Sequence, residues 1–240
     1  MAPGPDRGAR GPVSTAPAID LPARVAAVRD RIAAAGVDPA AVRLVAITKG
    51  FDAGVVREAL DAGLEDIGES YVQELVGKAK ELGTHSRDRE LRWHFVGRLQ
   101  RNKVRKAAPI VSLWHSVDRL AVGAEIARWA PGAAVLAQVN ASGEASKAGC
   151  EPSMAPALVD GLIDLGLDVR GLMTIAPAGP ADAARPAFRA LRELAQRLGL
   201  GELSMGMSDD LEVAVQEGAT MVRVGRDLFG PRPDQAGARD

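Results

Sequence analysis

The chain has 240 residues, 47% of them hydrophobic but only 3% aromatic, so its core must be built from Leu, Val, Ile and Ala. Thirty basic residues against thirty-one acidic ones give a net charge of −1, which removes the basic footprint expected of a partner for nucleic acid or an anionic membrane. A single cysteine, Cys150, excludes an intrachain disulfide and fits a reducing compartment, the cytoplasm. No apolar run approaches the roughly 18 residues needed to span a bilayer.

The first segment, "MAPGPDRGARGPVSTAPA" (1–18), is rich in Pro, Gly and Ala. It lacks the apolar core of a secretory signal, and Pro and Gly would break the helix of a transit peptide. It is expected to be a disordered tail, with one domain from 19 to 235. "IDLPARVAAVRDRIAAAG" then opens as an amphipathic helix with Leu21, Val25, Val28 and Ile32 on one face. "VRLVAIT" (42–48) is a buried strand, and "AGVVREALDAG" (53–63) a helix stopped by Gly63. "EDIGES" and "YVQELVGKAKELG" repeat the pair, as do "RWHFVG" (92–97) and "LQRNKVRKAA". "VSLWHSV" (111–117) precedes the helix "RLAVGAEIARWA", for which Asp118 is a good N-cap. "AAVLAQVN" (133–140), the loop "ASGEASKAGC" and the helix "MAPALVDGLIDLG" follow. "VRGLMTI" (169–175) leads to the helix "ADAARPAFRALRELAQRLG". "ELSMG" (202–206) leads to "DDLEVAVQEG", and "TMVRVG" (220–225) to the short turn "RDLFG".

These are eight strand-then-helix units. Alternation of this kind implies a parallel sheet, and eight units at this length favour a closed α/β barrel of the TIM type, with one extra N-terminal helix. The rival open sheet lacks a GxGxxG after its first strand.

In such barrels chemistry sits at the C-terminal ends of the strands. That selects Lys49, Glu69, Ser70, His94, His115, Ser116, Asn140, Met173, Thr174, Ser208 and the run Arg223 to Arg226. Strand alternation puts Val45, Ile47 and Lys49 on one face, and Met221, Arg223 and Gly225 on another. If both faces point inward, two cations meet at one mouth and call for an anionic or electron-rich ligand. Barrels often bind phosphate at the ends of strands 7 and 8. There Ser208 can meet an anion, and Gly225 lets backbone approach closely. A phosphate site facing a lysine suits a phosphorylated aldehyde held as a Schiff base.

Plainer readings compete. Ser208 can be a helix-start residue, with Asp209 and Glu212 forming a capping-box-like pair. Lys49 can be a solvated strand end, and Arg223 can pair with Glu69. The three histidines lack metal-ligand spacing, so His94 and His115 read as core or supporting residues. Lys103, Arg105 and Lys106 read as a solvated face.

The segments "LVAITK", "GESYVQEL", "WHFVGRLQRNKVRK", "HSVDRL", "QVNASGEASKAG", "GLMTI" and "LSMGMSDDLEVAVQEGATMVRVGRDLFGPR" resemble those of the pyridoxal phosphate homeostasis proteins, small relatives of the alanine racemase barrel. The likeness runs from about residue 20 to residue 232. It implies a barrel that binds pyridoxal 5′-phosphate (PLP) covalently through Lys49. It also implies a phosphate site made by Ser208 with the backbone of Gly225 and Arg226, and Arg223 facing the pyridine nitrogen. Ser70, His94, Asn140 and Met173 are the further expected cofactor contacts. Three places depart from the family pattern: "GFD" replaces a Thr-containing, Pro-ended turn, Ser70 stands for Asn, and Arg98 and Arg101 stand for His and Ser.

The resemblance implies a protein of PLP homeostasis, monomeric or a weak dimer, passing PLP to apo-enzymes with little turnover of its own. The chain ends soon after strand 8, so the racemases' second domain, with its opposing tyrosine base, is expected to be absent. The alternatives are a PLP-dependent amino-acid racemase or lyase, and a cofactor-free barrel acting on phosphate esters.

Overall fold

Short β-branched runs bounded by glycine, each followed by a helix of about two to four turns, leave parallel pairing as the way to bury both faces of every strand. A computed structural model describes residues 20–83, 91–144 and 147–233, so the expected tail and the last residues of the expected domain lie outside it. Its strands are β1 (Arg43–Ile47), β2 (Asp66–Glu69), β3 (Arg92–Phe95), β4 (Val111–Val117), β5 (Ala134–Gln138), β6 (Asp168–Met173), β7 (Glu202–Ser204) and β8 (Met221–Val224). They close in chain order into a parallel barrel, β8 returning to pair with β1. The expected fold is the observed one.

Helix α1 (Leu21–Ala34) precedes the barrel, and α2 (Ala53–Asp61), α3 (Val72–Leu82), α4 (Arg101–Ala107), α5 (Leu120–Trp129), α6 (Ala155–Asp164), α7 (Arg185–Arg197), α8 (Leu211–Gln216) and α9 (Arg226–Phe229) follow successive strands. Two apolar layers result. Val45, Ile47, Leu113, Leu136, Met173 and Met221 fill the barrel interior, while the larger layer lies between the strands and the helices. The extra helix α1 buries Leu21, Val25, Val28 and Ile32, the face read from its periodicity.

Three local expectations are corrected. The run 181–199 is a 3₁₀ turn, Ala181–Ala184, followed by α7, because Pro186 belongs in a first helical turn, where its missing N–H costs no bond. Asp118 does not cap α5: the N-cap is Arg119, and the Asp118 carboxylate is taken by the Arg119 guanidinium at 2.5 Å. The capping-box-like pair at α8 is not formed either. Its N-cap is Asp210, Glu212 pairs with Arg31 at 2.6 Å, and Asp209 pairs with Arg226.

Candidate functional site at the barrel mouth

Lys49 lies two residues past the end of β1, in the turn that follows Thr48, while Val45 and Ile47 of that strand face the barrel interior. It is half-buried. Burial pushes its amine below the usual lysine value, and the charges of Arg232 and Arg223 push the same way, while Glu69 and Glu74 oppose them. A lysine in such a place spends more of its time as the neutral amine, the form that attacks an aldehyde.

The segment "GFD" has a clear local logic. Gly50 takes φ +80, a left-handed conformation that a side chain resists. Phe51 packs on Phe229 of α9 with ring centroids 5.7 Å apart. Asp52 caps α2, accepting from the backbone N–H of Gly54 at 2.9 Å. The turn is therefore braced against the β8–α9 side of the mouth.

At the end of β8, Gly225 starts α9, and a Cβ there would lie 3.2 Å from the Ile47 carbonyl oxygen. The cradle is thus shaped for glycine. Ser208 lies in the neighbouring β7–α8 loop, and its carbonyl accepts from Arg31 of α1 at 2.9 Å. The same guanidinium holds Glu212 of α8 and Asp227 of α9, each at 2.6 Å. One side chain of the extra helix thereby ties both loops together.

Arg223 points into the barrel and is 5% exposed. It donates to Ser204 Oγ at 2.7 Å and to the Thr174 carbonyl at 2.9 Å. Burial lowers its pKa to about 10, with Asp210 opposing, so it remains a cation at neutral pH. It does not pair with Glu69, which faces outward and holds Lys78 of α3 at 2.5 Å.

Below Arg223 runs a buried polar chain. Ser204 Oγ lies 2.8 Å from His115 Nδ1, His115 Nε2 lies 2.8 Å from His94 Nδ1, and His94 Nε2 lies 2.8 Å from Asp66 Oδ1. Burial, then the charges of His94 and Arg223, push the His115 imidazole well below its ordinary value. One relay of donors satisfies every atom of the chain. Arg223 donates to Ser204, Ser204 to His115, His115 to His94, and His94 to the Asp66 carboxylate. At the far end Arg92 holds Asp66 through two bonds of 2.9 and 2.8 Å.

The sequence places His94 and Asn140 among the direct cofactor contacts, and the structure gives their polar atoms other partners. Both nitrogens of His94 are engaged inside the barrel. The Asn140 amide donates to the Glu144 carbonyl at 2.9 Å and accepts from Ser142 at 2.8 Å, folding its own loop. Met173 lies in the inner apolar layer. The Ser70 carbonyl lies against Gly97, where a Cβ would come within 2.0 Å of it. Sequence reasoning missed Arg31, Asp66, Lys78, Ser204 and Arg232. For Lys78 a signal existed: it shares the buried face of α3 with Leu75 and Leu82, a position where an unpartnered lysine is rare.

Comparison with known proteins shows the family to which the chain belongs. The family model described as alanine racemase, N-terminal domain, matches residues 23–233. A pyridoxal phosphate homeostasis protein of Pseudomonas aeruginosa is 49% identical over 88% of this chain and 94% of its own. Among solved structures, a protein of unknown function from Bifidobacterium adolescentis superposes with a TM-score of 0.81 at 37% identity, over 87% of this chain and 94% of that one. PipY of Synechococcus elongatus, solved with PLP bound, superposes with a TM-score of 0.75 at 36% identity, over 88% of this chain and 100% of that one. The chain belongs to the alanine racemase N-terminal domain family, within the group whose members are named pyridoxal phosphate homeostasis proteins.

Proposed function

We propose that this chain binds PLP through Lys49 and serves in PLP homeostasis, holding the reactive aldehyde and passing it to PLP-requiring apo-enzymes. The observation that carries the reading is one barrel mouth that joins a lysine of lowered proton affinity, a buried arginine and a glycine-shaped cradle. These residues fit the cofactor. When bound, it supplies an aldehyde carbon and a ring able to accept electrons. Lys49 provides the attachment. Ser208 and the backbone N–H groups of Gly225 and Arg226 hold the phosphate, and Met173 forms apolar wall. His94 acts only through His115 and Ser204, and Asn140 and Ser70 shape neighbouring loops.

Arg223 would face the ring nitrogen as a hydrogen-bond donor that keeps its own proton. The ring is then a weaker electron sink than one opposed by a carboxylic acid, which favours storage over turnover. The protein acts as a monomer in the cytoplasm. Burial pushes the thiol of Cys150 up to about 11, leaving it a poor nucleophile at neutral pH. The test mixes PLP-loaded protein with a PLP-requiring apo-enzyme, with a scavenger for free PLP present. Recovery of enzyme activity despite the scavenger is expected. A parallel incubation with L- and D-alanine in deuterated water is expected to show no efficient inversion, and inversion at the ~10 s⁻¹ typical of enzymes would establish a racemase instead.

A further inference from the structure

Both peptide groups flanking Lys49 are gripped by helix α3. The Thr48 carbonyl accepts from Lys78 Nζ at 2.6 Å, and the Gly50 N–H donates to Glu74 Oε2 at 2.7 Å. Lys78 and Glu74 lie one turn apart on α3, with Nζ 3.6 Å from Oε2. Glu69 of β2 completes the group, accepting from Thr48 Oγ1 at 2.6 Å and from Lys78 at 2.5 Å. Lys78 is 5% exposed and Glu69 fully buried. The second oxygen of Glu69 has no hydrogen-bond partner among the described residues, and burial pushes that carboxyl up against the pull of Lys78 and Thr48.

An ion pair this deep is not explained by stability, since apolar side chains of similar size generally serve as well or better. What this pair achieves is geometric. The Lys78 ammonium spends one of its three donors on the carbonyl immediately before Lys49, and the carboxylate that faces the ammonium also fixes the Thr48 side chain. We propose that Lys78, together with Glu69 and Glu74, is a positioning clamp for Lys49, setting where the reactive amine emerges at the barrel mouth. The inference rests on the reading of Lys49 as the attachment point.

The clamp also separates two lysines that stand close together. Lys78 is surrounded by oxygen acceptors and donates to them as an ammonium, which has no lone pair to offer an aldehyde. The Lys49 amine is lowered by burial and by the charges of Arg232 and Arg223. One amine is committed to structure and the other is left for chemistry.

The test uses the full chain with three variants: Glu74→Leu, which removes the acceptor of the Gly50 N–H, Lys78→Arg, and the double variant Lys78→Met/Glu69→Gln, which avoids a lone buried charge. Amide hydrogen exchange is read in the cofactor-free protein at Gly50 and, as a reference, at Leu136 in β5. Trapping by borohydride then gives the rate at which pyridoxal attaches to Lys49. Loss of the clamp is expected to speed Gly50 exchange about tenfold with Leu136 unchanged, and to slow attachment about tenfold. Lys78→Arg is expected to restore part of both. Wild-type Gly50 exchange in the Glu74 variant together with wild-type attachment rates in the folded double variant would overturn the proposal, as would equal acceleration at Leu136, which signals general loosening. A wild type that forms no adduct at Lys49 overturns the cofactor reading, and Gly50 exchange still decides whether the clamp exists.

Discussion

Lys78 on α3 and Arg31 on α1 each brace one part of the barrel mouth from outside the strands. Lys78 holds the β1–β2 side through Thr48, Glu69 and Glu74, and Arg31 holds the β7–β8 side through Ser208, Glu212 and Asp227. Their surroundings differ. The Lys78 side chain is 6% exposed and its main partner Glu69 is wholly buried, whereas Arg31 is 34% exposed and its carboxylates are partly wet. The lysine side is held by an interaction that cannot be broken halfway. The β7–β8 side is held by one that water and salt can share.

Breaking each brace should show the difference. Lys78→Ala leaves Glu69 buried without its cation and is expected to cost about 3–5 kcal/mol, measured by urea unfolding. Arg31→Ala is expected to cost about 1 kcal/mol or less, and its effect should shrink as salt is raised while that of Lys78→Ala does not. Equal costs for the two would remove the distinction.

The β7–β8 side, where the proposed reading puts the phosphate, can be probed by ligand. Ser208→Ala is expected to weaken PLP about ten- to a hundredfold, since a hydrogen bond to a charged group contributes about 1.5–3 kcal/mol. Gly225→Val should also weaken it, because its side chain enters the space beside the Ile47 carbonyl. Pyridoxal, which lacks the phosphate, should be affected less, as direct titration of both ligands can check.

Inside the barrel, burial pushes the Asp66 carboxyl up, but Arg92 and His94 outweigh it and hold it well below the usual carboxylate range. A group depressed in this way contributes stability that is present above its unfolded pKa of roughly 3.9 and is lost as pH falls toward the folded value. The stability gap between wild type and Asp66→Asn should therefore be full at neutral pH and close below about pH 4. The smallest expected effect is at Arg232, part-exposed beside Gly50. Arg232→Gln removes a charge that lowers the Lys49 amine, so the pH profile of adduct formation should move to higher pH.

Much of the mouth was legible because strand alternation is a strict rule. A period of two put Lys49 above Ile47 and Arg223 above Met221, and both inner faces lie where it predicted. In β2 the pattern is silent, because the two charged residues, Asp66 and Glu69, fall on opposite phases of the strand. Gly68 turns inward and Glu69 outward, so Glu69 meets a helix and not Arg223. The polar chain beneath Arg223 was out of reach for a different reason. His94 and His115 are 21 residues apart, and His115 and Ser204 are 89 apart. Only barrel closure and strand register bring them together. Helix caps failed where a competing ion pair was stronger, as Arg119 shows for Asp118.

The most direct test of the whole account is to load the wild-type protein with PLP, reduce it with borohydride and map the modified peptide. The account predicts about one adduct per chain, on Lys49, with none on Lys78, and loss of that adduct in a Lys49→Ala variant that keeps its circular dichroism spectrum. An adduct of wild-type stoichiometry on another lysine in that variant would contradict it.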